Sequence, residues 1–383
     1  MHAIEHSYIV GAFEHPTRKS PDKSTALLTA ECAAGALADA GLTKDDIDGY
    51  MCGSEAPGGA PWMADYLNIR PRYIESTNTG GSSYLLHVAH AAQAIAAGKC
   101  DTVLITLAGR TRTEGRPIPD QAQPDFPWES PTGFRLVDLY AMCAQRHMHE
   151  FGTTAEQLAW IKVAASHHAQ HNPHAMLRKP VTVEDVLTSP MVAPPLHRLD
   201  CCVVSDGGGA LVVTRKEIAR SLNRPLVHAI GGGEAFQGQA GGQVELTASA
   251  GRQSGAAAFA EAGVTPDDIR YASLYDSFTI TVLMQLEDLG FCAPGAGGRF
   301  VADGGLISGI GMLPVNTDGG GLCNNHPANR GGMTKVIEAV RQLRGEAHPK
   351  VQVPNCDLAI AHGTGGSLGV RHGAATIVLE REA

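Results

Sequence analysis

The sequence lacks any apolar run that approaches the roughly 18 residues of a membrane-spanning helix. Its 383 residues are 43% hydrophobic and carry a net charge of −9, from 30 Lys and Arg against 39 Asp and Glu. An acidic balance of this kind argues against nucleic acid as a partner. We therefore expect neither membrane insertion nor nucleic-acid binding.

Cysteine pairs of the CxxC type are also missing, as is a basic leader followed by an apolar core. The nine cysteines are scattered along the chain. In a chain of this length, such a distribution indicates reduced thiols rather than a disulfide framework. The first residues, MHAIEHSYIVGAF, show no secretion-signal pattern. The expected location is therefore cytoplasmic.

One twelve-residue segment occurs twice. Ala36–Ile47 reads ALADAGLTKDDI and Ala258–Ile269 reads AFAEAGVTPDDI, so eight of twelve positions are identical. Each copy follows an alanine-rich helical pattern and precedes a short strand pattern, which predicts two structurally related halves. Thr43 and Thr265 each have an acid three residues later, so helix capping alone remains an alternative cause of part of the match.

A second notable stretch is Asn316–Met333, NTDGGGLCNNHPANRGGM. Three consecutive glycines permit close backbone approach and positive φ. His326-Pro327 follows, and then an amphipathic run over Thr334–Leu343. An imidazole held in a glycine-lined turn before a helix suits a general base, because histidine titrates near neutrality. An incidental surface histidine is the alternative.

GGGLxxxHP followed by a helix resembles the glycine-histidine-proline signature of the thiolase superfamily. The most similar branch is that of the sterol-carrier-protein-type thiolases and the thiolase-like aldolases of the lipid-transfer-protein type. The resemblance implies an α/β fold of two related βαβαβαββ halves, with two central helices buried between their sheets. It divides the chain into halves at 1–215 and 216–383, with an inserted loop domain at about 109–199.

The resemblance places the first active-site turn at Thr79–Ser83. The segment 73–98 is expected to form the approach and the first buried helix. Thiolases carry their nucleophilic cysteine at this turn, where the helix N-terminus lowers the pKa of a thiol. The corresponding position here is Gly81 or Ser82, next to Gly80, and no cysteine lies between Cys52 and Cys100.

The second turn is Tyr275-Asp276-Ser277-Phe278, where sterol-carrier-protein-type thiolases have His-Asp-Cys-Phe. Tyrosine replaces the histidine and serine replaces the cysteine, and Thr279–Leu289 is expected to be the second buried helix. Either packing or proton transfer would account for Tyr275. We identify Tyr275 and His326 as the catalytic acid–base pair. Ser82 and His362 are further candidates, together with the neighbours Asp276 and Ser277.

Two further turns complete the expected site. Asn325 belongs to the histidine loop, and Gly365 and Gly366 belong to GTGGSLG near the C-terminus. With Gly80 and Gly81, these positions are expected to line the substrate and its oxyanion. Four histidines at 167, 168, 171 and 174 suggest a metal, but no carboxylate or cysteine completes a ligand set, so we expect none.

The resemblance implies a coenzyme A thioester substrate and no separate cofactor. A missing thiolate and a gained phenol favour a retro-aldolase, a carbon–carbon lyase acting on a β-hydroxyacyl-CoA in lipid or steroid side-chain degradation. The alternatives are a 3-ketoacyl-CoA thiolase (acetyl-CoA acyltransferase), with Cys323 as nucleophile, and a non-catalytic acyl-CoA-binding subunit. The expected assembly is a homodimer, with a small zinc-ribbon and OB-fold acyl-CoA-binding protein as a further partner in a heteromeric complex.

Overall fold

A computed structural model describes residues 7–53, 56–115, 135–238, 243–327, 331–368 and 371–382. The proline-rich part of the predicted insertion at 116–134 lies outside these residues. The strands are β1 Ser7–Glu14, β2 Gly49–Gly53, β3 Tyr73–Thr77, β4 Thr102–Arg110, β5 Met191–Ala193, β6 Leu196–His197, β7 Asp206–Arg215, β8 Val227–Gln237, β9 Tyr271–Leu274, β10 Leu358–Ser367 and β11 Arg371–Arg381. The helices are α1 Thr25–Ala40, α2 Gly59–Tyr66, α3 Ser83–Ala96, α4 Thr111–Glu114, α5 Leu136–Phe151, α6 Ala155–Ala169, α7 Val183–Leu187, α8 Lys216–Ser221, α9 Gly251–Ala262, α10 Thr279–Asp288, α11 Gly297–Val301, α12 Gly320–Cys323 and α13 Gly332–Arg344.

The main sheet has the same strand pattern twice. Its order is β3-β2-β4-β7-β1-β8-β11-β10-β9. In the first half β1 and β4 flank β7 antiparallel, and β2 lies parallel to β4. In the second half β8 and β10 flank β11 antiparallel, and β9 lies parallel to β10. One residue pair, Tyr8 with His228, joins β1 to β8. The two halves therefore share one topology over four strands each, and β3 adds a fifth strand next to β2 in the first half.

The repeated segment occupies equivalent places in the two halves. Helices α1 and α9 both end at a glycine with left-handed backbone angles, Gly41 and Gly263. No neighbouring side chain lies close to either glycine. A short 3₁₀ helix follows each glycine, with a reciprocal capping box at Thr43 and at Thr265. The strands β2 and β9 come next. The sequence match therefore reports a duplicated helix–turn–strand unit as well as a shared cap.

The buried apolar residues form three clusters that define the layers. One packs α1 and α2 on the outer face of the first half-sheet. The middle cluster joins the inner faces of both half-sheets through α3 and α13. The third packs α9 and α10, with α5 and α6 of the insertion, on the outer face of the second half-sheet. The order of layers is thus helix, sheet, helix, sheet, helix.

This arrangement corrects one prediction. The helix that pairs with α3 between the half-sheets is α13, whereas α10 lies outside them beneath the insertion. Thr279–Asp288 is buried along its whole length because α5, α6 and α11 cover it. Burial alone therefore could not distinguish a central helix from a covered one. The run starting at Thr334 forms a helix with the predicted amphipathic pattern, yet its polar side chains are almost all buried as well. No helix in the described ranges is long and apolar enough to cross a membrane.

Candidate active site

A cavity of about 350 Å³ lies where the two half-sheets and the insertion meet. Three predicted turns contribute to it, together with the C-terminal part of β10, the start of α5 and the segment before β7. The lining residues are Gly81, Arg135, Leu136, Val137, Tyr140, Val192, Cys201, Cys202, Val204, Tyr275, Ser277, Phe278, His326, Thr364, Gly365 and Gly366. Most of this surface is apolar, so polar chemistry is concentrated at a few side chains.

Tyr275 and His326 come together in this cavity. Their ring centroids are 5.4 Å apart and the ring planes are inclined at 76°, an edge-to-face arrangement. Both residues are 4% exposed. The backbone N–H of Tyr275 donates to the carbonyl of His362 (3.0 Å), and its carbonyl accepts from Nε2 of Gln285 (2.7 Å). The phenol of Tyr275 and the imidazole of His326 therefore line the same cavity.

The histidine loop is fixed by the segment that precedes β7. The backbone N–H of His326 donates to Oγ of the buried Ser205 (3.0 Å), and Ser205 N–H donates back to the His326 carbonyl (3.4 Å). Two residues earlier, Val203 N–H donates to the Gly321 carbonyl, and Cys202 N–H donates to the Ser277 carbonyl, both at 2.9 Å. The same segment therefore supports both candidate turns.

Gly81 lies directly behind the Tyr275 ring. A Cβ atom at this position would lie 2.2 Å from Cε2 of Tyr275 and 2.7 Å from the carbonyl oxygen of Thr364. Separations below 3 Å do not occur between non-bonded carbon atoms. In this geometry, a cysteine at position 81 and the observed tyrosine ring exclude each other. The absence of a side chain at position 81 is thus a steric condition for the observed position of the Tyr275 ring.

Ser82 is not poised as a nucleophile. Its Oγ donates to the carbonyl of Thr79 at 2.6 Å, it is 1% exposed, and it does not line the cavity. Gly80, at φ +63°, and Gly365 instead let two backbones cross, since a Cβ on Gly80 would lie 2.7 Å from Cα of Gly365. Gly365 and Gly366 line the cavity from within β10, rather than from the predicted turn.

Asp276 and Ser277 have different surroundings although they are neighbours. The fully buried Asp276 carboxylate accepts the N–H groups of Gly321 (2.8 Å) and Leu322 (3.1 Å) and lies 2.6 Å from Nζ of Lys335. It does not line the cavity. Ser277 does, and its Oγ lies 3.2 Å from Oγ1 of Thr281.

Two predicted site residues point elsewhere. Nδ1 of His362 is 2.7 Å from Oγ1 of Thr376, and burial lowers the pKa of this imidazole to about 3. Its side chain faces the outer side of β10, because side chains alternate along a strand, and only its carbonyl contacts Tyr275. The amide nitrogen of Asn325 donates to the carboxylate of Glu14 instead of facing the substrate space. Neither side chain lines the cavity.

Sequence reasoning missed the wall opposite Tyr275. Tyr140 of the insertion packs its ring against Phe278 with centroids 4.5 Å apart, and burial raises the pKa of its phenol to about 12. Cys201 and Cys202 also line the cavity, and burial raises the pKa of the Cys201 thiol to about 11. Their position beside the Tyr275 turn depends on a long-range bridge from Cys201 to Phe278, which a single sequence does not reveal.

Two further predictions concern Cys323 as an alternative nucleophile and the clustered histidines as metal ligands. Cys323 is completely buried outside the cavity, and burial raises the pKa of its thiol. His168 accepts from the N–H of Ser308 at Nε2 (2.9 Å), and its Nδ1 lies 3.3 Å from the Asn316 carbonyl. In the described ranges, no group of three or more His, Cys, Asp or Glu side chains could hold a metal ion.

Comparison with known proteins provides independent information. The family model described as "Thiolase C-terminal domain-like" matches residues 233–381. A steroid side-chain-cleaving aldolase from Thermomonospora curvata is 36% identical over 88% of this chain and 89% of the relative. A 17-hydroxy-3-oxo-4-pregnene-20-carboxyl-CoA lyase from Mycobacterium tuberculosis is 35% identical over 88% and 91%. An acetyl-CoA acetyltransferase from Methanothermobacter thermautotrophicus is 34% identical over the same shares.

A solved structure titled "Ltp2-ChsH2(DUF35) aldolase" agrees in fold as well as in sequence. It superposes with a TM-score of 0.88 at 32% identity and covers 98% of both chains. Identity over nearly the full length, the matching family model and the duplicated topology all point in one direction. The chain belongs to the thiolase superfamily, in the branch that contains the sterol-carrier-protein-type thiolases and the thiolase-like aldolases.

Proposed function

We propose that this chain is a retro-aldolase that cleaves the Cα–Cβ bond of a β-hydroxyacyl-CoA. A base removes the proton of the β-hydroxyl, the Cα–Cβ bond breaks, and its electron pair passes into the thioester enolate. Protonation at Cα then releases a shorter acyl-CoA and a carbonyl compound. The step consumes neither water nor free coenzyme A. It requires proton transfer and enolate stabilisation, but no covalent acyl-enzyme.

The observation that carries this proposal is the Tyr275 ring in the space that a side chain at position 81 would need. In this proposal, a proton-transfer group opposite His326 lies where the resemblance places the nucleophile of thiolases. In the proposed mechanism, one of these two residues takes the proton of the β-hydroxyl, and the other stabilises or protonates the enolate. Ser277 and the backbone around Gly365 complete the wall near the thioester.

The acyl-transfer alternative rests on the relatives named acetyl-CoA acetyltransferase. It would need a thiolate within reach of the substrate. Cys323 is buried away from the cavity, and Cys201 is protonated at neutral pH because burial raises the pKa of its thiol. A non-catalytic acyl-CoA-binding subunit is the other alternative. It predicts that substitutions at Tyr275 and His326 do not change turnover, because the chain itself would not catalyse the reaction.

The apolar wall formed by Leu136, Val137, Tyr140, Val204 and Phe278 suits a bulky hydrocarbon next to the reacting carbons. Two relatives carry steroid substrates in their names. We therefore propose a fused-ring acyl group with a tertiary β-hydroxyl as substrate.

For assembly, we propose a homodimer that works with a small zinc-ribbon and OB-fold acyl-CoA-binding protein. The solved aldolase with a similar chain carries a DUF35 component in its title. The division into halves at 1–215 and 216–383 and a cytoplasmic location remain part of the proposal. Full turnover by the purified chain, with no gain from a co-encoded small protein, would argue against the partner.

The proposed chemistry is tested by intact-protein mass spectrometry after incubation with 17-hydroxy-3-oxo-4-pregnene-20-carboxyl-CoA. We expect cleavage products in solution and an unmodified protein mass. An acyl adduct on a cysteine would instead support acyl transfer. A matched Cys201→Ala, Cys202→Ala variant identifies any adduct that forms on the cavity wall.

A further inference from the structure

The buried glycine turn that carries His326 is held by charged groups at both ends. Helix α12 begins at Gly320, and the carboxylate of Asp276 accepts two of its N–H groups, from Gly321 and Leu322. At the other end, Nζ of Lys162 donates to the carbonyl of Leu322 at 2.6 Å. A negative group thus meets free N–H donors and a positive group meets a free carbonyl, as the helix dipole requires.

Asp276 links the two catalytic turns directly. It follows Tyr275 in sequence, and its side chain reaches across to the turn that precedes His326. A Cβ on Gly321 would lie 3.0 Å both from Oδ1 of Asp276 and from Cδ2 of His326. Gly321 therefore lies beside both the carboxylate and the imidazole. We expect a displacement of the carboxylate to reach the ring through this residue.

The turn between Gly320 and His326 is held by its own hydrogen bonds. A shift of the Asp276 carboxylate can therefore pass along the turn to the imidazole. The N–H groups of Asn324 and Asn325 both donate to the carbonyl of Gly320, at 2.8 and 3.3 Å. The carboxylate itself is fixed by Lys335, whose Nζ lies 2.6 Å from Oδ1. Both partners are almost fully buried, with side chains 0% and 2% exposed. A buried carboxylate without its cation would be strongly disfavoured, so Lys335 is needed to hold the Asp276 carboxylate in place.

We propose that Asp276 and Lys335 are positioning residues that set the distance between Tyr275 and His326, with Lys162 as a second attachment from the insertion. The assignment rests on the proposed function only for its kinetic consequence. Asp276 is adjacent to the catalytic tyrosine but touches no substrate space. Lys335 and Lys162 come from α13 and α6, so the central layer and the insertion both hold one turn.

The test uses the full chain with ¹³C-labelled histidine, because the Tyr275 ring shifts the His326 resonance through its ring current. His326→Gln identifies the resonance, and Tyr275→Leu measures the full shift. The double variant Asp276→Asn, Lys335→Met removes both charges together and leaves no stranded buried ion. Glu287→Gln is the control, because it removes the charge of another buried pair, with His147, near the C-terminal end of α10.

We expect the double variant to lose at least about half of the Tyr275-dependent shift, while Glu287→Gln keeps all of it. In turnover, a misplacement of about 1 Å corresponds to a loss of up to about 100-fold in kcat, with KM nearly unchanged. A folded double variant with the full shift would overturn the proposal. If that variant does not fold, Lys162→Met takes its place. A His326 resonance in Lys162→Met that keeps the full Tyr275-dependent shift would equally overturn the assignment. The resonance needs no substrate, so this result is separable from a failure of the retro-aldol proposal.

Discussion

Replacing Gly81 with alanine tests the steric relation between the lost nucleophile and Tyr275. The new Cβ would lie 2.2 Å from Cε2 and 2.7 Å from Cζ of the tyrosine ring. Carbon contacts relax at about 3.5 Å, so the ring must move by more than about 1 Å. The φ angle of Gly81 is not positive, so backbone strain adds nothing to the cost.

The expected effects on stability and on turnover differ in size. Overpacking of this kind costs about 1–3 kcal/mol, and the loss of glycine freedom in the unfolded chain returns about 0.4–1 kcal/mol. A net loss of about 1–2 kcal/mol in the free energy of unfolding would leave the protein folded. A ring displaced by about 1 Å in the cavity should nevertheless lower kcat by about 100-fold.

The assay combines urea unfolding with steady-state kinetics on a β-hydroxyacyl-CoA. Gly373→Ala is the matched control, since its Cβ would meet nothing closer than 3.6 Å, and we expect it to behave like the wild type. In a Tyr275→Ala background, Gly81→Ala should cost less stability than it does in the wild type, because the ring that it would clash with is absent. Wild-type stability and turnover in Gly81→Ala would refute the reasoning.

Three further predictions follow from the same geometry. Tyr275→Phe and His326→Ala should each lower kcat by about 10²–10⁴-fold without unfolding the chain, and their effects should not add in the double variant; near-wild-type turnover of Tyr275→Phe would remove the phenol from the mechanism. Iodoacetamide should leave turnover largely intact, because burial raises the pKa of the Cys201 thiol to about 11 and keeps it protonated; rapid, stoichiometric loss of activity that substrate protects against would point to thiolase chemistry. Burial raises the pKa of Asp288 to about 6 from an ordinary 3.8. Between these two values the folded protein binds a proton on Asp288 that the unfolded chain releases, so the contribution of Asp288 to stability falls as pH rises from about 4 through 6. Asp288→Asn should therefore gain in urea-measured stability relative to the wild type between pH 4 and pH 7, by on the order of 2 kcal/mol; a constant difference would contradict this.

Local patterns allowed much of the fold to be predicted. The capping pattern at Thr43 and Thr265 predicted the reciprocal caps that both short 3₁₀ helices have. The short strand predicted after each copy of the repeated segment is present, as β2 and β9. The duplicated segment was recognisable because each copy contains its own cap and turn. Such features depend on residues three or four apart, which are visible in one sequence.

The site was less accessible, because it depends on register and long-range packing. The direction of the His362 side chain follows from the pairing of β10 with β11, which the sequence does not specify. The partner of Asn325 is Glu14, more than 300 residues away. The polar side chains of α13 indicated an exposed face, yet Lys335 is buried because Asp276 provides its counter-charge.

The most direct measurement of the central claim is the cleavage of 17-hydroxy-3-oxo-4-pregnene-20-carboxyl-CoA in D₂O without free coenzyme A, followed by mass spectrometry of the products. A retro-aldol step predicts equal amounts of a carbonyl product and a shorter acyl-CoA, with one deuterium at the α-carbon from protonation of the enolate. It also predicts that Tyr275→Phe slows this release. Turnover that requires free coenzyme A and passes through a cysteine-bound acyl group would contradict the account.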